Sequence, residues 1–152
     1  MNNLLALDLG TTSGWALVHN GHTTSGTINF KNDRFQGGGM RFLRFRKWLD
    51  DMKELTGGVQ EVYFEEVRRH LGVDAAHVYG GFLGTLTAWC EDNELPYQGV
   101  PISHIKLHVT GKGNASKQEV IAGVRALGYA PQDHNEADAI ALLEWVQKSC
   151  SS

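Results

Sequence analysis

Three acidic residues stand where a lone carboxylate is costly. Asp8 closes the apolar run Leu4-Leu5-Ala6-Leu7 and is followed by Leu9; Glu65 ends the stretch Val59 to Phe64. An ionised carboxylate in such surroundings is unfavourable unless it is paired or metal-bound. Taken singly, Asp8 also fits a turn cap and Glu65 a sheet-edge residue. The third acid, Asp138, lies in Asn135-Glu136-Ala137-Asp138-Ala139-Ile140-Ala141-Leu142, where Ala137 and Ala139 leave room for close approach. His134 and Asn135, at i−4 and i−3, can share the helix face of Asp138, whereas Glu136 points away. Asn135 as an N-cap with Asp138 at N3 would explain that pair alone, but not its coexistence with Asp8 and Glu65. Hard oxygen ligands from two strands and a helix suit Mg²⁺ or Mn²⁺ rather than zinc. Such a cluster can hold two ions across a phosphodiester, one activating water and the other stabilising the leaving oxygen. No Ser-His-Asp or Cys-His nucleophile pattern stands out, and the seven histidines are scattered.

The elements that must position these acids follow from hydrophobic spacing. Leu4 to Leu9 reads as a buried central strand. Gly10 to Gly14 reads as a turn, Trp15 to His19 as a second strand and Thr23 to Phe30 as a third, with Asn20-Gly21 as the hairpin turn between them. A glycine-rich loop, 32–39, leads into a helix from Met40 to Leu55, with Phe42, Phe45, Leu49 and Met52 at helical spacing. Val59 to Glu65 is a fourth strand. Asp74 to Cys90 is a long helix, Tyr97 to Val100 a fifth strand and Ile102 to Val109 a short helix. Ser116 caps a helix that runs to Leu127, and Asn135 to Lys148 is the last helix. The order βββ-α-β-α-β-α-α-α predicts a three-layer α/β fold, an antiparallel meander joined to parallel strands. Residues 1–148 form one domain in this reading, with 149–152 as a tail.

The length of 152 residues suits a single core. With 14 basic and 17 acidic side chains the net charge is −3, which excludes a uniformly basic nucleic-acid coat. The charge is segregated, however. Six basic residues and one acid lie between Lys31 and Trp48, and three lysines with no acid lie between Pro101 and Gln118. Segregation of this kind allows a polyanion-facing surface on an acidic protein, although solvated helix faces also look like this. No apolar run approaches the ~20 residues of a membrane span. The N-terminus lacks the positive region of a signal peptide. Two distant cysteines, Cys90 and Cys150, fit a reducing cytoplasm.

These features together resemble the RuvC family of Holliday-junction resolvases, on an RNase H-like fold with a five-stranded mixed sheet flanked by helices. The resemblance rests on Leu4-Leu5-Ala6-Leu7-Asp8-Leu9-Gly10 with Gly14, and on Val62-Tyr63-Phe64-Glu65-Glu66-Val67. It continues through Gly111-Lys112-Gly113-Asn114-Ala115-Ser116-Lys117 and Asn135 to Leu142. Small bacterial and bacteriophage members look most similar. The resemblance implies a metal-dependent, structure-selective crossover junction endodeoxyribonuclease, leaving 5′-phosphate and 3′-hydroxyl ends. Asp8, Glu65 and Asp138 then correspond to metal-binding acids. The fourth ligand position, commonly Asp or His in the family, is Asn135 here, with His134 and Asp133 as alternatives. Glu66, beside Glu65, leaves open a swap of roles. Lys117 corresponds to a basic position near the scissile phosphate, suited to stabilising transition-state charge.

Ala76, Gly80, Gly84 and Ala88 recur every four residues as a smooth helical stripe, beside which lies Gly81. Each helical glycine costs ~1 kcal/mol relative to alanine, so packing should compensate. Tight packing on the chain's own sheet is one account; the resemblance implies a homodimer interface, placing two sites on opposed strands of a two-fold junction. Arg68, Arg69, Lys106, Lys112 and Lys117 are the expected DNA contacts, acting on phosphates. The helix bearing Arg41, Arg44, Arg46 and Lys47 is a weaker candidate. Three other readings compete. Asp8-Leu9-Gly10-Thr11-Thr12-Ser13 looks like the first phosphate loop of sugar kinases and heat-shock chaperones, but those enclose ATP between two such lobes. No nucleotide cofactor is therefore expected. A non-cleaving junction-binding protein would fit Asn135, and an RNase H-like RNA nuclease would fit the acids.

Overall fold

A computed structural model of the chain describes residues 2–67, 69 and 72–150. Three strands come first: β1 (Leu4–Asp8), β2 (Thr12–His19) and β3 (His22–Asn29). They are followed by α1 (Met40–Thr56), β4 (Glu61–Glu66), α2 (Val73–Asp92) and β5 (Tyr97–Pro101). The chain ends in three helices, α3 (Ile102–Thr110), α4 (Lys117–Ala126) and α5 (His134–Cys150). One sheet has the order β3-β2-β1-β4-β5. β1–β2 and β2–β3 are antiparallel, while β1–β4 and β4–β5 are parallel, as the sequence pattern predicts.

Local chemistry accounts for the boundaries. Asn20 and Gly21 both have positive φ, 51° and 79°, so the predicted two-residue hairpin forms. β2 begins at Thr12, three residues before the expected Trp15. The Ser13 hydroxyl accepts from the Gly10 amide (3.2 Å) and donates to the Gly10 carbonyl (2.6 Å), closing a shorter turn than Gly10 to Gly14. Ser116 caps α4 as predicted, in a reciprocal capping box with Glu119. α5 runs to Cys150, two residues past the expected end. Among the described residues, no helix is long and apolar enough to cross a membrane.

Strand alternation divides the core in two. Leu5, Leu7, Leu17, Val62 and Phe64 face α1 and α2, where Phe45, Leu49, Phe82, Leu86 and Trp89 are fully buried. Ala6, Ala16, Val18 and Tyr63 face the other way, toward α3, α4 and α5. The result is helix–sheet–helix layering. Cys90 lies in the first core, where burial pushes its thiol up to about 12.

Candidate metal centre

The period of two along a strand puts Asp8 on the face of Ala6, and Glu65 on that of Tyr63. β1 and β4 run parallel in the register Leu7–Phe64, so Asp8 and Glu65 follow as neighbours at the same strand ends. α5 packs on this face and supplies Asp138. Ligand oxygens of Asp8, Glu65 and Asp138 lie within 4.8 Å of one another. Glu66 falls on the opposite face with Phe64, its Oε2 over Gly99 of β5. Alternation thus separates Glu66 from the three acids that the fold brings together.

Close approach of α5 depends on Gly14. Gly14 pairs with Asp8 across the β1–β2 ladder. A Cβ there would lie 1.8 Å from the Asn135 carbonyl oxygen, well inside any tolerable contact. Only glycine lets the first turn of α5 rest on the strand beside Asp8. Ala137, Ala139 and Ala141 are all fully buried and keep the helix slim where it packs among the sheet and the neighbouring helices.

The start of α5 corrects one expectation. Asp133, not Asn135, is the capping residue: its Oδ1 accepts from the Glu136 amide (2.8 Å) and from Thr27 Oγ1 (2.9 Å). Glu136 turns away from the acids, accepting from Ser25 Oγ (2.7 Å) and the Gln132 amide (2.9 Å). Asp138 is therefore a full turn inside the helix and free of capping duty. Asn135 is half-buried one turn before Asp138. The competing Asp-His-Asn cap signals in 133–135 hid this assignment.

Burial dominates the electrostatics. It pushes the Asp8 carboxyl well above the carboxylate range, and repulsion from Glu65 and Asp138 adds to it. Glu65 is raised to about 8 by burial and by Asp138, with partial relief from Lys106. Asp138 is raised to about 6 by burial, against the opposing pull of Lys106, its hydrogen bond with Asp8 and Lys117. Asp133 adds negative charge to the same field. Three desolvated carboxylates in mutual repulsion form an electrostatic trap for a cation. The all-oxygen donor set fits a hard divalent ion such as Mg²⁺ or Mn²⁺.

The other predicted residues separate into groups. Lys106 on α3 and Lys117 on the first turn of α4 both reach the acids electrostatically. Lys106 was expected only as a DNA contact; its compensation of Glu65 and Asp138 needed the packing of α3 to be seen. Lys112 is exposed and paired with Glu119 at 2.9 Å. Arg69 is exposed and lines a cleft of about 550 Å³ with Glu66, Val67, Pro101, Ser103 and His104. Arg68 lies outside the described residues. On α2, Gly80, Gly84 and Ala88 are exposed and Ala76 half-buried. Added Cβ atoms at Gly80 and Gly84 would meet nothing within 4 Å. Gly81 is the glycine packed within the chain: its Cβ would lie 2.3 Å from the Phe42 ring. The stripe is thus turned away from its own sheet, contrary to the first account of it.

By sequence, the chain matches no family model and no curated protein. By structure, it is similar to Thermus thermophilus RuvC in complex with a Holliday junction substrate, with a TM-score of 0.81 at 20% identity. That similarity covers 99% of this chain and 95% of the other. A second Thermus thermophilus RuvC structure gives 0.75 at 19% identity, over 98% and 97% of the two chains. The yeast mitochondrial Holliday junction resolvase Ydc2 gives 0.60 at 11%, over 95% and 77%. With its sheet order, its helical layers and these likenesses, the chain has the RNase H-like α/β fold of the RuvC Holliday-junction resolvases.

Proposed function

We propose that this protein is a metal-dependent, structure-selective endodeoxyribonuclease that resolves four-way and other branched DNA. The observation that carries this reading is the convergence of Asp8, Glu65 and Asp138 within 4.8 Å at adjoining strand ends, on a fold shared with junction resolvases. The three carboxylates would hold Mg²⁺ or Mn²⁺, two ions per site, with the Asn135 amide oxygen as a fourth ligand. When bound, such ions activate water and stabilise charge on the leaving oxygen of a phosphodiester. The protein's own contribution is to keep the carboxylates desolvated and fixed. Lys117 and Lys106 supply positive charge for the scissile phosphate, while Arg68, Arg69 and Lys112 hold the flanking backbone.

In this reading residues 1–148 form the nuclease domain, with 149–152 as a tail, and the enzyme works in the cytoplasm. Two copies join through Ala76, Gly80, Gly84 and Ala88, a face open in the single chain. The two-fold dimer sets two sites on opposed strands, so the cuts are paired. The test is cleavage of a synthetic four-way junction with Mg²⁺, run beside a linear duplex and an RNA counterpart. Paired nicks in the junction, absent in Asp8→Asn, are expected. Failure of the wild type to cut, or full activity in Asp8→Asn, overturns the reading.

A further inference from the structure

The loop between β3 and α1 presents an aromatic ring to solvent. Phe35 is 91% exposed, more than any other large apolar side chain among the described residues. Such exposure is unusual in a loop this well braced. Arg44 donates to the Phe30 and Lys31 carbonyls, each at 2.8 Å, and to Gln36 Oε1 at 2.6 Å. Gln36 in turn accepts from the Asp33 amide at 2.8 Å and donates its own amide to the Asp33 carbonyl at 3.0 Å. Gln36 is half-buried within this bracing, while Phe35, the loop's one large apolar group, points outward, the reverse of what burial would favour.

The neighbours of Phe35 are cationic. The Arg34 guanidinium lies 5.5 Å from the ring centroid. Within the stretch 31–41 there are three basic residues, Lys31, Arg34 and Arg41, and one acid, Asp33. The loop also sits at the catalytic end of the sheet. The Phe30 amide donates to the Thr11 carbonyl at 2.7 Å, and Arg41 donates to Thr11 Oγ1 at 3.1 Å, three residues beyond Asp8. An aromatic face with a guanidinium beside it, in a basic stretch of chain, is a composition that binds unpaired nucleotides, through stacking and phosphate contacts.

We infer that the 31–39 loop is a second nucleic-acid contact, in which Phe35 stacks on an unpaired DNA base while Lys31 and Arg34 hold the adjoining phosphates. This deepens the proposed function and rests on it for the choice of DNA. The loop adds selectivity for distorted or single-stranded segments, which the metal centre alone does not supply.

The test uses the full chain with Asp8→Asn to prevent cutting, and fluorescence anisotropy with oligo(dT) and a linear duplex of equal length. Phe35→Ala is expected to weaken oligo(dT) binding at least about fivefold, leaving duplex binding and the salt slope unchanged. Phe35→Trp should retain binding. Arg34→Ala should lower the oligo(dT) salt slope by about 0.7. Equal oligo(dT) affinity with and without Phe35, equal losses on both probes, or no oligo(dT) binding by the parent overturns the inference. The two readings fail separately. If the wild type cuts junctions while Phe35→Ala leaves oligo(dT) binding intact, only the loop assignment falls. If the wild type leaves junctions uncut but oligo(dT) binding depends on Phe35, only the nuclease reading falls.

Discussion

On one face of the sheet, Phe30, Phe45, Phe82 and Trp89 fill the space beneath α1 and α2. On the other, Ala137, Ala139 and Ala141 keep α5 slim in the core it shares with the strands and with α3 and α4, and Gly14 removes the last obstacle beside Asp8. The aromatic face has its rings in edge and stacked contacts, with Phe45–Phe82 centroids 5.2 Å apart. Its role is to supply apolar burial. The alanine face gives up side-chain volume, and the closeness it gains lets a helical carboxylate meet two strand carboxylates. The aromatic core and the carboxylate cluster thus lie on opposite sides of one sheet. Apolar burial in the two cores offsets the unfavourable burial of the acids.

Substitutions can break this division. The largest expected effect is on the alanine face: Asp8→Asn or Asp138→Asn should lower junction cleavage below about one hundredth of wild type while leaving the fold intact, as checked by nicking rates and circular dichroism. Gly14→Ala should come next. Its Cβ collides with the Asn135 carbonyl, so α5 must lift and Asp138 must part from Asp8. Cleavage should fall at least about tenfold and stability by roughly 1–3 kcal/mol or more, read by nicking assay and urea unfolding. Phe45→Ala should do the reverse. Unfolding should show a loss of about 3–5 kcal/mol, with cleavage per folded molecule nearly unchanged below the melting temperature.

A pH titration sharpens the same contrast. Glu65 at about 8 and Asp138 at about 6 lie above the ordinary carboxylate range near 4. Raised carboxyl values mean that the folded state holds protons the unfolded chain has already lost. Their contribution is full below about pH 4 and is lost as pH rises through 6 and 8. In EDTA the melting temperature should therefore fall between pH 5 and 9, and Glu65→Gln should flatten that fall. Saturating Mn²⁺ should restore stability at the alkaline end. The smallest effect is expected far from both cores: Arg46→Ala, which removes an exposed pair with Asp92, should change unfolding by less than about 0.5 kcal/mol.

Much of this division was legible in the sequence, for identifiable reasons. Asp8 and Glu65 stood out because an apolar run ending in an acid is costly without a partner. The meander-then-parallel order followed from Asn20-Gly21 and from the helices that separate the later strands. Glu65 and Glu66 could not be distinguished, because alternation assigns a face only once β4 is known to pair with β1. Asn135 looked like a cap because 133–135 offers several capping side chains, and Thr27 on β3 is what commits Asp133. The role of Gly14 lay hidden in a turn reading, since its demand comes from a helix more than a hundred residues later. The direction of the Gly80 and Gly84 stripe depended on Phe42 occupying the space beside Gly81.

Asp8, Glu65 and Asp138, if they form one divalent-cation site, must bind metal together and lose it together. Isothermal titration of the metal-free protein with Mn²⁺ at pH 7.5 tests it most directly. Saturable binding with proton release is expected in the wild type, and loss of that binding in Asp8→Asn and Asp138→Asn, both still folded. Undiminished Mn²⁺ binding in the two variants, or no binding by the folded wild type, would contradict it.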